Sequence, residues 1–364
     1  MQSTMPWTIY KNSLMCSHTE LPTNNKVAAF DLDGTLIITK SGKRFAKNTN
    51  DWKLFHSTEV FKTLKTLHDD GYTLVIISNQ LGISKGKVDT ADIQTKVNDI
   101  VEYLQLPIIV MLAVNDDHMR KPRIGAWEYL EYLIATPINM SESFYCGDAA
   151  GRANDFAATD YKFALNLGIT FKTPEELFLG HPIYHVDEWE FDPRKLISVS
   201  IKQEYLSPIS KEIIILVGPP ASGKSSLAKW CCFEYVSISQ DELGTLNKCK
   251  KACIKAINTG SSVIIDNTNR NAKIRAVWIE IARNHNIPVK CIVMQIDKPL
   301  CMHINKYRSI YGDKKITAVA IHCYYKAFEP PTMDEGFSEI SYRPFEINRD
   351  QMDAQTIKRI GSFL

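Results

Sequence analysis

Two stretches of this chain alternate short, wholly apolar runs with longer segments of helical periodicity, and neither repeats the sequence of the other. In the first, Lys26–Phe30, Thr73–Ile77, Pro107–Leu112 and Ser143–Cys146 are apolar at consecutive positions, as strands covered on both faces must be. Segments near 58–69, 91–105 and 124–135 carry apolar residues three and four apart and read as amphipathic helices. In the second, Ile213–Val217, Val263–Ile265 and Val289–Gln295 read as strands, separated by helices near 224–232, 246–258 and 271–285. Strands alternating with helices predict an α/β fold in each half, a parallel sheet with ligands at the carboxyl ends of its strands.

Between about Leu179 and Lys211 the periodicity breaks down and three prolines appear, which places the domain boundary there. Trp189, Phe191 and Tyr205 argue against a free linker and for a segment packed along the seam between domains. The expected division is a short extension over 1–25, a first domain over 26–180, a connection over 181–210 and a second domain over 211–364.

Composition narrows the class. With 364 residues, 45% hydrophobic and 23% charged, the chain has the balance of a globular protein of two ordinary domains. A net charge of +2 provides no global field for nucleic acid, so such a partner would be held by local basic patches. The nine cysteines show no CxxC spacing, and no His or Cys cluster completes a zinc set. They read as reduced, packing thiols of an intracellular compartment. The N-terminus lacks a secretory pattern, and no apolar run approaches ~20 residues, so the expectation is a protein neither secreted nor membrane-spanning.

Chemistry enters at the strand ends. Asp31-Leu32-Asp33-Gly34-Thr35 follows the first strand, so Asp31 can attack phosphorus while Asp33 protonates the leaving oxygen and later activates water. Side chains alternate along a strand, so residues two apart can share one site. Paired carboxylates repel, which calls for a divalent cation, and magnesium prefers such ligands. Ser78-Asn79-Gln80 after the next strand offers a hydroxyl and amides to phosphate oxygens. Lys121 supplies positive charge to the transition state. Asp148, in Gly147-Asp148, completes a magnesium shell, with Asp155 as support. These stations, in this order, resemble the haloacid dehalogenase superfamily of phosphatases.

Gly218-Pro219-Pro220-Ala221-Ser222-Gly223-Lys224-Ser225 is a full GxxxxGK[ST] match between a strand and a helix. Its amides would cradle phosphates, Lys224 would reach the β/γ oxygens and Ser225 would bind magnesium, so Gly218, Ser222, Gly223, Lys224, Ser225 and the adjoining Ser226 are ATP-site candidates. Asp241 follows the next apolar run and can accept the proton of an attacking hydroxyl. Asp266-Asn267-Thr268-Asn269 follows the Val263–Ile265 strand, where a magnesium-ordering or substrate-orienting group belongs. A helix from about Pro299 carries His303, Lys306 and Arg308, a spacing suited to a lid that presents positive charge to the triphosphate.

Phosphatase followed by kinase, in these words, resembles the eukaryotic polynucleotide kinase 3′-phosphatases. The likeness runs from about Lys26 to Phe345 and reaches beyond the generic motifs: Ser41-Gly42-Lys43, Asp51-Trp52, the SNQLGISKGK run at 78–87, GDAAGR at 147–152, Phe163-Ala164-Leu165-Asn166, Phe191-Asp192-Pro193-Arg194, IDNTN at 265–269, Phe328-Glu329 and GF at 336–337. It implies a haloacid dehalogenase-like Rossmannoid domain followed by a P-loop kinase domain with a parallel sheet. It further implies a nuclear enzyme of strand-break repair that hydrolyses 3′-phosphate ends and phosphorylates 5′-hydroxyl ends of DNA with ATP. On that basis Asp31 is the nucleophile, Asp33 the general acid/base and Asp241 the kinase base. Asp31, Asp148 and the Asp33 carbonyl would hold magnesium in the phosphatase, and Lys224 and Ser225 would serve ATP.

The chain departs from that family in places. Fewer than thirty residues precede the first expected strand, so the forkhead-associated domain of vertebrate members is not expected. The basic insertion after GDAAGR shrinks to Ala153-Asn154, Gln240 replaces an arginine before the kinase base, and Lys306 stands where an arginine is common. Candidate DNA contacts are Lys43, Arg44, Lys85 and Lys87 around the phosphatase mouth, and Arg270 and Arg275 after IDNTN. Such contacts would go to phosphates of a single-stranded or frayed end, without sequence preference. Two self-contained catalytic domains need no shared site, so a monomer is expected. Two other readings remain: a phosphatase/kinase of small metabolites, and a repair scaffold with a decayed kinase site.

Overall fold

The computed structural model describes residues 5–18, 20, 24–134, 136–186, 188–198, 205–312, 316–347 and 352–364. It resolves into two units, Met1–Glu190 with Ser362–Leu364, and Phe191–Gly361.

The first unit runs β1 (Trp7–Tyr10), β2 (Leu14–Ser17), β3 (Lys26–Phe30), β4 (Ile37–Ile38), β5 (Lys53–Leu54), α1 (Ser57–Asp69), β6 (Tyr72–Asn79) and α2 (Thr90–Leu104). It continues through β7 (Ile108–Ala113), α3 (Gly125–Leu133), β8 (Phe144–Cys146), α4 (Thr159–Leu167), β9 (Thr170–Lys172) and α5 (Pro174–Leu179). Seven strands form a sheet in the order β1-β2-β7-β6-β3-β8-β9. Pairings from β7 to β9 are parallel, and β2 adds antiparallel to β7. The pleat explains the continuous apolar runs: Ala28, Phe30, Leu74 and Ile76 pack into one core, while Val27, Ala29, Val75 and Ile77 pack into the other. Strand order reverses at β3, and that opens the crevice where ligands bind in such sheets.

The segment expected as an extension contributes two strands. Trp7–Tyr10 and Leu14–Ser17 form a hairpin turned by Lys11 and Asn12 at positive φ, and β2 is wholly buried. Between the domains, the expected aromatics divide their contacts. Trp189 meets Tyr161 and Phe363 in the first unit, whereas Phe191 meets His303, and Tyr205 meets Phe233, in the second.

The second unit runs β10 (Ile213–Val217), α6 (Lys224–Trp230), β11 (Val236–Ile238), α7 (Gln240–Leu243), α8 (Leu246–Asn258) and β12 (Val263–Ile265). Then come α9 (Ala272–Asn284), β13 (Val289–Gln295), α10 (Lys298–Tyr311), α11 (Ala318–Lys326), β14 (Glu339–Pro344) and α12 (Ala354–Ile360). Its five strands pair in parallel in the order β11-β12-β10-β13-β14, so β10 is again where the order reverses. None of the cysteines forms a disulfide and, Cys323 aside, all are buried. Among the described residues, no helix is long and apolar enough to cross a membrane.

Arg275 corrects an expectation. It lies in the interior of this unit with no exposed surface, so it does not offer a DNA contact. Its guanidinium grips Glu335 through two bonds (2.8 and 2.6 Å) and donates to the Asn269 and Glu329 carbonyls (3.1 and 2.9 Å). It thereby ties the loop before α9 to the 329–335 segment. Breaking one partner of such a buried pair costs about 3–5 kcal/mol. Arg275→Ala is therefore expected to lower the melting transition of the second unit sharply while leaving reactions of the first unit intact, as calorimetry with parallel activity assays would show.

Candidate active sites

Asp31 is the first residue past β3, and its amide donates to the Cys146 carbonyl at the end of β8 (2.9 Å). The turn that follows needs glycine: Gly34 sits at φ +89°, and a Cβ there would lie 2.5 Å from Asp148 Oδ2. Gly147 plays the same part for Asp160, whose Oδ2 would be 2.3 Å from an added Cβ. These two close approaches let Asp31, Asp148 and Asp160 bring carboxylate oxygens within 4.8 Å of one another.

Lys121 lies inside this cluster, its side chain 1% exposed. Its ammonium donates to Asp31 Oδ1 (2.7 Å), Asp160 Oδ1 (2.9 Å) and the Tyr145 hydroxyl, which in turn donates to the Ile77 carbonyl (2.9 Å). Asn79 fixes the lysine's main chain from both sides, accepting from its amide (3.0 Å) and donating to its carbonyl (3.1 Å). Burial disfavours the Lys121 charge, but Asp160 and Asp31 outweigh it and hold its pKa up.

The carboxylates share too little positive charge. Burial pushes Asp31 up to about 8, against the pull of Lys121 and with Asp160 and Asp148 adding to the rise. Burial and Asp160 push Asp148 up to about 6. Asp160 is already spoken for by Lys121 and by the Ala149 amide (3.1 Å), so Asp31 and Asp148 are the pair left to face a cation. Crowded oxygen ligands with raised pKa values fit a hard divalent ion such as magnesium.

Asp33 stands apart in a half-exposed position. Lys96 donates to its Oδ1 (2.7 Å), and Gln80 Nε2 donates to its Oδ2 (2.9 Å) and to the buried Ser78 hydroxyl (3.0 Å). Asp155 does not join the carboxylate cluster. It pairs with Arg152 (2.9 Å) and accepts from the Ala150 and Arg152 amides, so it shapes the turn after Asp148 rather than supporting a metal.

Spacing alone hides Asp160 and Lys96. Asp160 opens a helix instead of ending a strand, and Lys96 reads as one more charge on an amphipathic segment. At the surface, Lys43, Lys85 and Lys87 are exposed, as expected of contacts to an outside partner. The Arg44 guanidinium stacks 3.9 Å from the Phe156 ring and 5.4 Å from that of Phe45, and these rings are 85% and 77% exposed. Asp51 shapes that loop by accepting from the Lys47 and Ser41 amides and the Ser41 hydroxyl, bonds that hold its carboxyl down at about 2.

In the second unit the phosphate loop lies between β10 and α6. Gly218 is required because a Cβ would meet Ser222 Oγ at 2.7 Å and Met294 Cβ at 2.9 Å. Lys224 folds onto the loop itself, donating to the Gly218 and Pro219 carbonyls (3.0 and 2.7 Å) and to Ser222 Oγ (3.3 Å). Burial pushes its pKa down to about 8, with Asp266 opposing. A cavity of about 310 Å³ adjoins it, with Ser222, Gly223, Lys224, Ser225 and Ser226 in its wall. From α10 the wall receives Ile304, Tyr307 and Arg308, so Arg308 faces the cavity and Lys306 lies off it. Trp230, Arg343 and Phe345 also line it, Arg343 from β14 beside β13 and Phe345 just past that strand, its amide donating to the Gln295 carbonyl (2.9 Å).

His303 does not serve the lid. It is buried against Phe191, with Nε2 2.6 Å from the Ile360 carbonyl, and burial pushes its pKa down, leaving a neutral ring that pins α12. Asp241 is exposed on α7, and that turn is tied to the 266–269 loop by the Gln240 amide donating to Asn267 Oδ1 (2.9 Å). Asn269 is structural: it is buried at φ +44° and donates to the Leu216 carbonyl (2.7 Å). Arg270 is half-buried beside it.

Comparison with known proteins gives two family matches: residues 26–178 fit the "Polynucleotide kinase 3 phosphatase" family, and residues 213–331 fit an "AAA domain" family. A "Bifunctional polynucleotide phosphatase/kinase" of Schizosaccharomyces pombe is 39% identical over 353 residues, covering 95% of this chain and 86% of that protein. A "Putative bifunctional polynucleotide phosphatase/kinase" of Acanthamoeba polyphaga mimivirus is 32% identical over 92% of this chain and 88% of its own. A "Polynucleotide 3′-phosphatase" of Saccharomyces cerevisiae is 28% identical over 42% of this chain and 87% of its own.

The carboxyl cluster predicts how magnesium and pH combine. An unfolded aspartate titrates near ~3.9. Raised folded values mean that Asp31 and Asp148 contribute stability at low pH that is lost as pH rises through about 6 and about 8. Metal-free protein should therefore melt at falling temperatures from pH 5 to pH 8.5. Magnesium, by binding the folded state, should restore several degrees at pH 8.5 and almost nothing at pH 5. Asp148→Asn should flatten that pH-dependent gain in differential scanning fluorimetry.

Proposed function

The chain belongs to the family of bifunctional polynucleotide phosphatase/kinases, and from that footing we propose a DNA end-healing enzyme that removes 3′-phosphates and phosphorylates 5′-hydroxyls with ATP. The observation that carries the reading is chemical pairing within one chain. One unit holds a buried carboxylate cluster around Lys121, and the other holds a phosphate loop opening on a cavity.

In the first unit, an Asp31 oxygen attacks the phosphorus of a 3′-phosphate and the bond to the 3′-oxygen breaks. Asp33 donates a proton to that oxygen. A water then gives its proton to Asp33 and attacks the aspartyl phosphate, releasing phosphate and restoring Asp31. Lys121 and the Ser78 hydroxyl meet the charge on the transferring phosphoryl oxygens. Magnesium held by Asp31, Asp148 and the Asp33 carbonyl would neutralise the cluster and orient the phosphate. In the second unit, Asp241 takes the proton of the 5′-hydroxyl as its oxygen attacks the γ-phosphorus of ATP. Lys224, Ser225 and Arg308 stabilise the triphosphate.

Lys43, Arg44, Lys85, Lys87 and Arg270 are the proposed DNA contacts. Phe45 and Phe156 offer faces on which bases of a frayed end can stack, a sequence-tolerant contact. Action on nuclear DNA as a monomer belongs to the same proposal. Arg308 and Lys224 at the cavity favour a working kinase over a decayed one, even with Gln240 before the base.

The test is a gapped duplex with 3′-phosphate and 5′-hydroxyl termini, magnesium and labelled ATP. Asp31→Asn should lose 3′-phosphate removal by on the order of 10³-fold and keep 5′ labelling, and Lys224→Ala should do the reverse. Unchanged ends beside rapid hydrolysis of a small phosphoester would replace the DNA reading with a metabolite enzyme.

A further inference from the structure

Lys96 stands where the periodicity of α2 calls for an apolar side chain. Ile93, Val97, Ile100, Val101 and Leu104 make the buried stripe of that helix, and Lys96 sits within it, 6% exposed. An ammonium gives up solvation there that a methionine would not. What it gains is Asp33 Oδ1 at 2.7 Å. The second Asp33 oxygen is taken by Gln80, which also holds Ser78, so Ser78, Gln80, Asp33 and Lys96 form one hydrogen-bonded row.

The row answers a problem of geometry. The Asp33 side chain is 51% exposed on a turn, where a free carboxylate would sample several rotamers. Two donors anchored on different elements, Gln80 in the turn after β6 and Lys96 on α2, select one of them. We propose that Lys96 is a positioning residue of the phosphatase reaction. It fixes the carboxylate that gives a proton to the leaving oxygen and takes one from water, and so it acts on turnover rather than on substrate binding. The inference rests on the phosphatase reading of the first unit.

The test uses the full chain with magnesium and two substrates. A 3′-phosphorylated oligonucleotide has an alkoxide leaving group that must be protonated, whereas p-nitrophenyl phosphate releases nitrophenolate unaided. In Lys96→Met, kcat on the oligonucleotide should fall roughly 10–100-fold with KM within about twofold. On p-nitrophenyl phosphate a burst of nitrophenolate should survive, followed by slow turnover with acid-stable aspartyl phosphate accumulating, because the water step still needs Asp33. The 5′-kinase rate should not change, and the melting temperature should hold or rise, since methionine completes the apolar stripe.

Lys96→Arg should recover most of the lost kcat, because it can donate to the same carboxylate. Unchanged kcat on both substrates, or a raised KM at constant kcat, would overturn the proposal. So would a loss of activity that tracks a lowered melting temperature. Should Lys96→Met fold poorly, Lys96→Leu, which also lacks a donor, decides by the same readouts. If wild-type protein leaves the oligonucleotide untouched yet turns over p-nitrophenyl phosphate, the DNA reading fails separately. The burst-and-stall pattern in Lys96→Met then supports the Lys96 inference, and unchanged turnover overturns it.

Discussion

A single buried ammonium organises the first unit. Lys121 has given up water on every side, and a charge so placed persists only where carboxylates and hydrogen-bond acceptors surround it. Asp31 arrives from β3, Asp160 from α4 and the Tyr145 hydroxyl from β8, while Asn79 at the end of β6 holds the lysine's own main chain. Four elements must therefore be in register before the charge is satisfied. The glycines at 34 and 147 are the steric condition for that convergence, since a side chain at either would collide with a carboxylate. Stability and chemistry here are the same arrangement seen from two sides.

The second unit solves the opposite electrostatic problem. The first site holds more carboxylate than ammonium, a deficit that favours a cation. The Lys224 ammonium bonds to two carbonyls and a hydroxyl, all neutral oxygens, and its lowered pKa records the poor compensation. A triphosphate would supply the missing negative charge to that amine and to the amides around it. Each site is thus incomplete in the sense its substrate or metal can complete, and both lie where the order of parallel strands reverses.

The sequence was most legible where one physical cause acted alone. Strands buried on both faces appear as unbroken apolar runs, so β3, β6, β7, β10, β12 and β13 are readable to within a residue or two. The β1–β2 hairpin and β14 are not, because short or half-exposed strands leave a mixed pattern. Residues at strand ends carry positional meaning, which is how Asp31, Ser78 and Asp148 stand out, while Lys224 stands out by the spacing of the phosphate loop at the start of α6. Asp160 and Lys96 act through partners that are distant along the chain and adjacent only in the fold: Lys121 and Asp31 for the first, and Asp33, 63 residues away, for the second. Arg275, His303 and Asp155 have the chemistry of surface or site groups, and burial turns the first two into fasteners while Arg152 occupies the third.

Asp31 and Asp33 share a motif, but the reason they share a site differs from the one that alternation along a strand suggests. The strand ends at Phe30, and the chain turns at once, Gly34 donating back to Ile37 and Leu36 to Leu32. The turn, not the pleat, divides the pair between two environments. Asp31 is drawn under Lys121 among other carboxylates, where it is held in place by charge. Asp33 is left half in water, and its direction must be set from outside by donors just past β6 and on α2. In the proposed reaction the nucleophile needs immobility and the proton carrier needs access to solvent. Two residues of turn are enough to offer neighbouring aspartates one of these each.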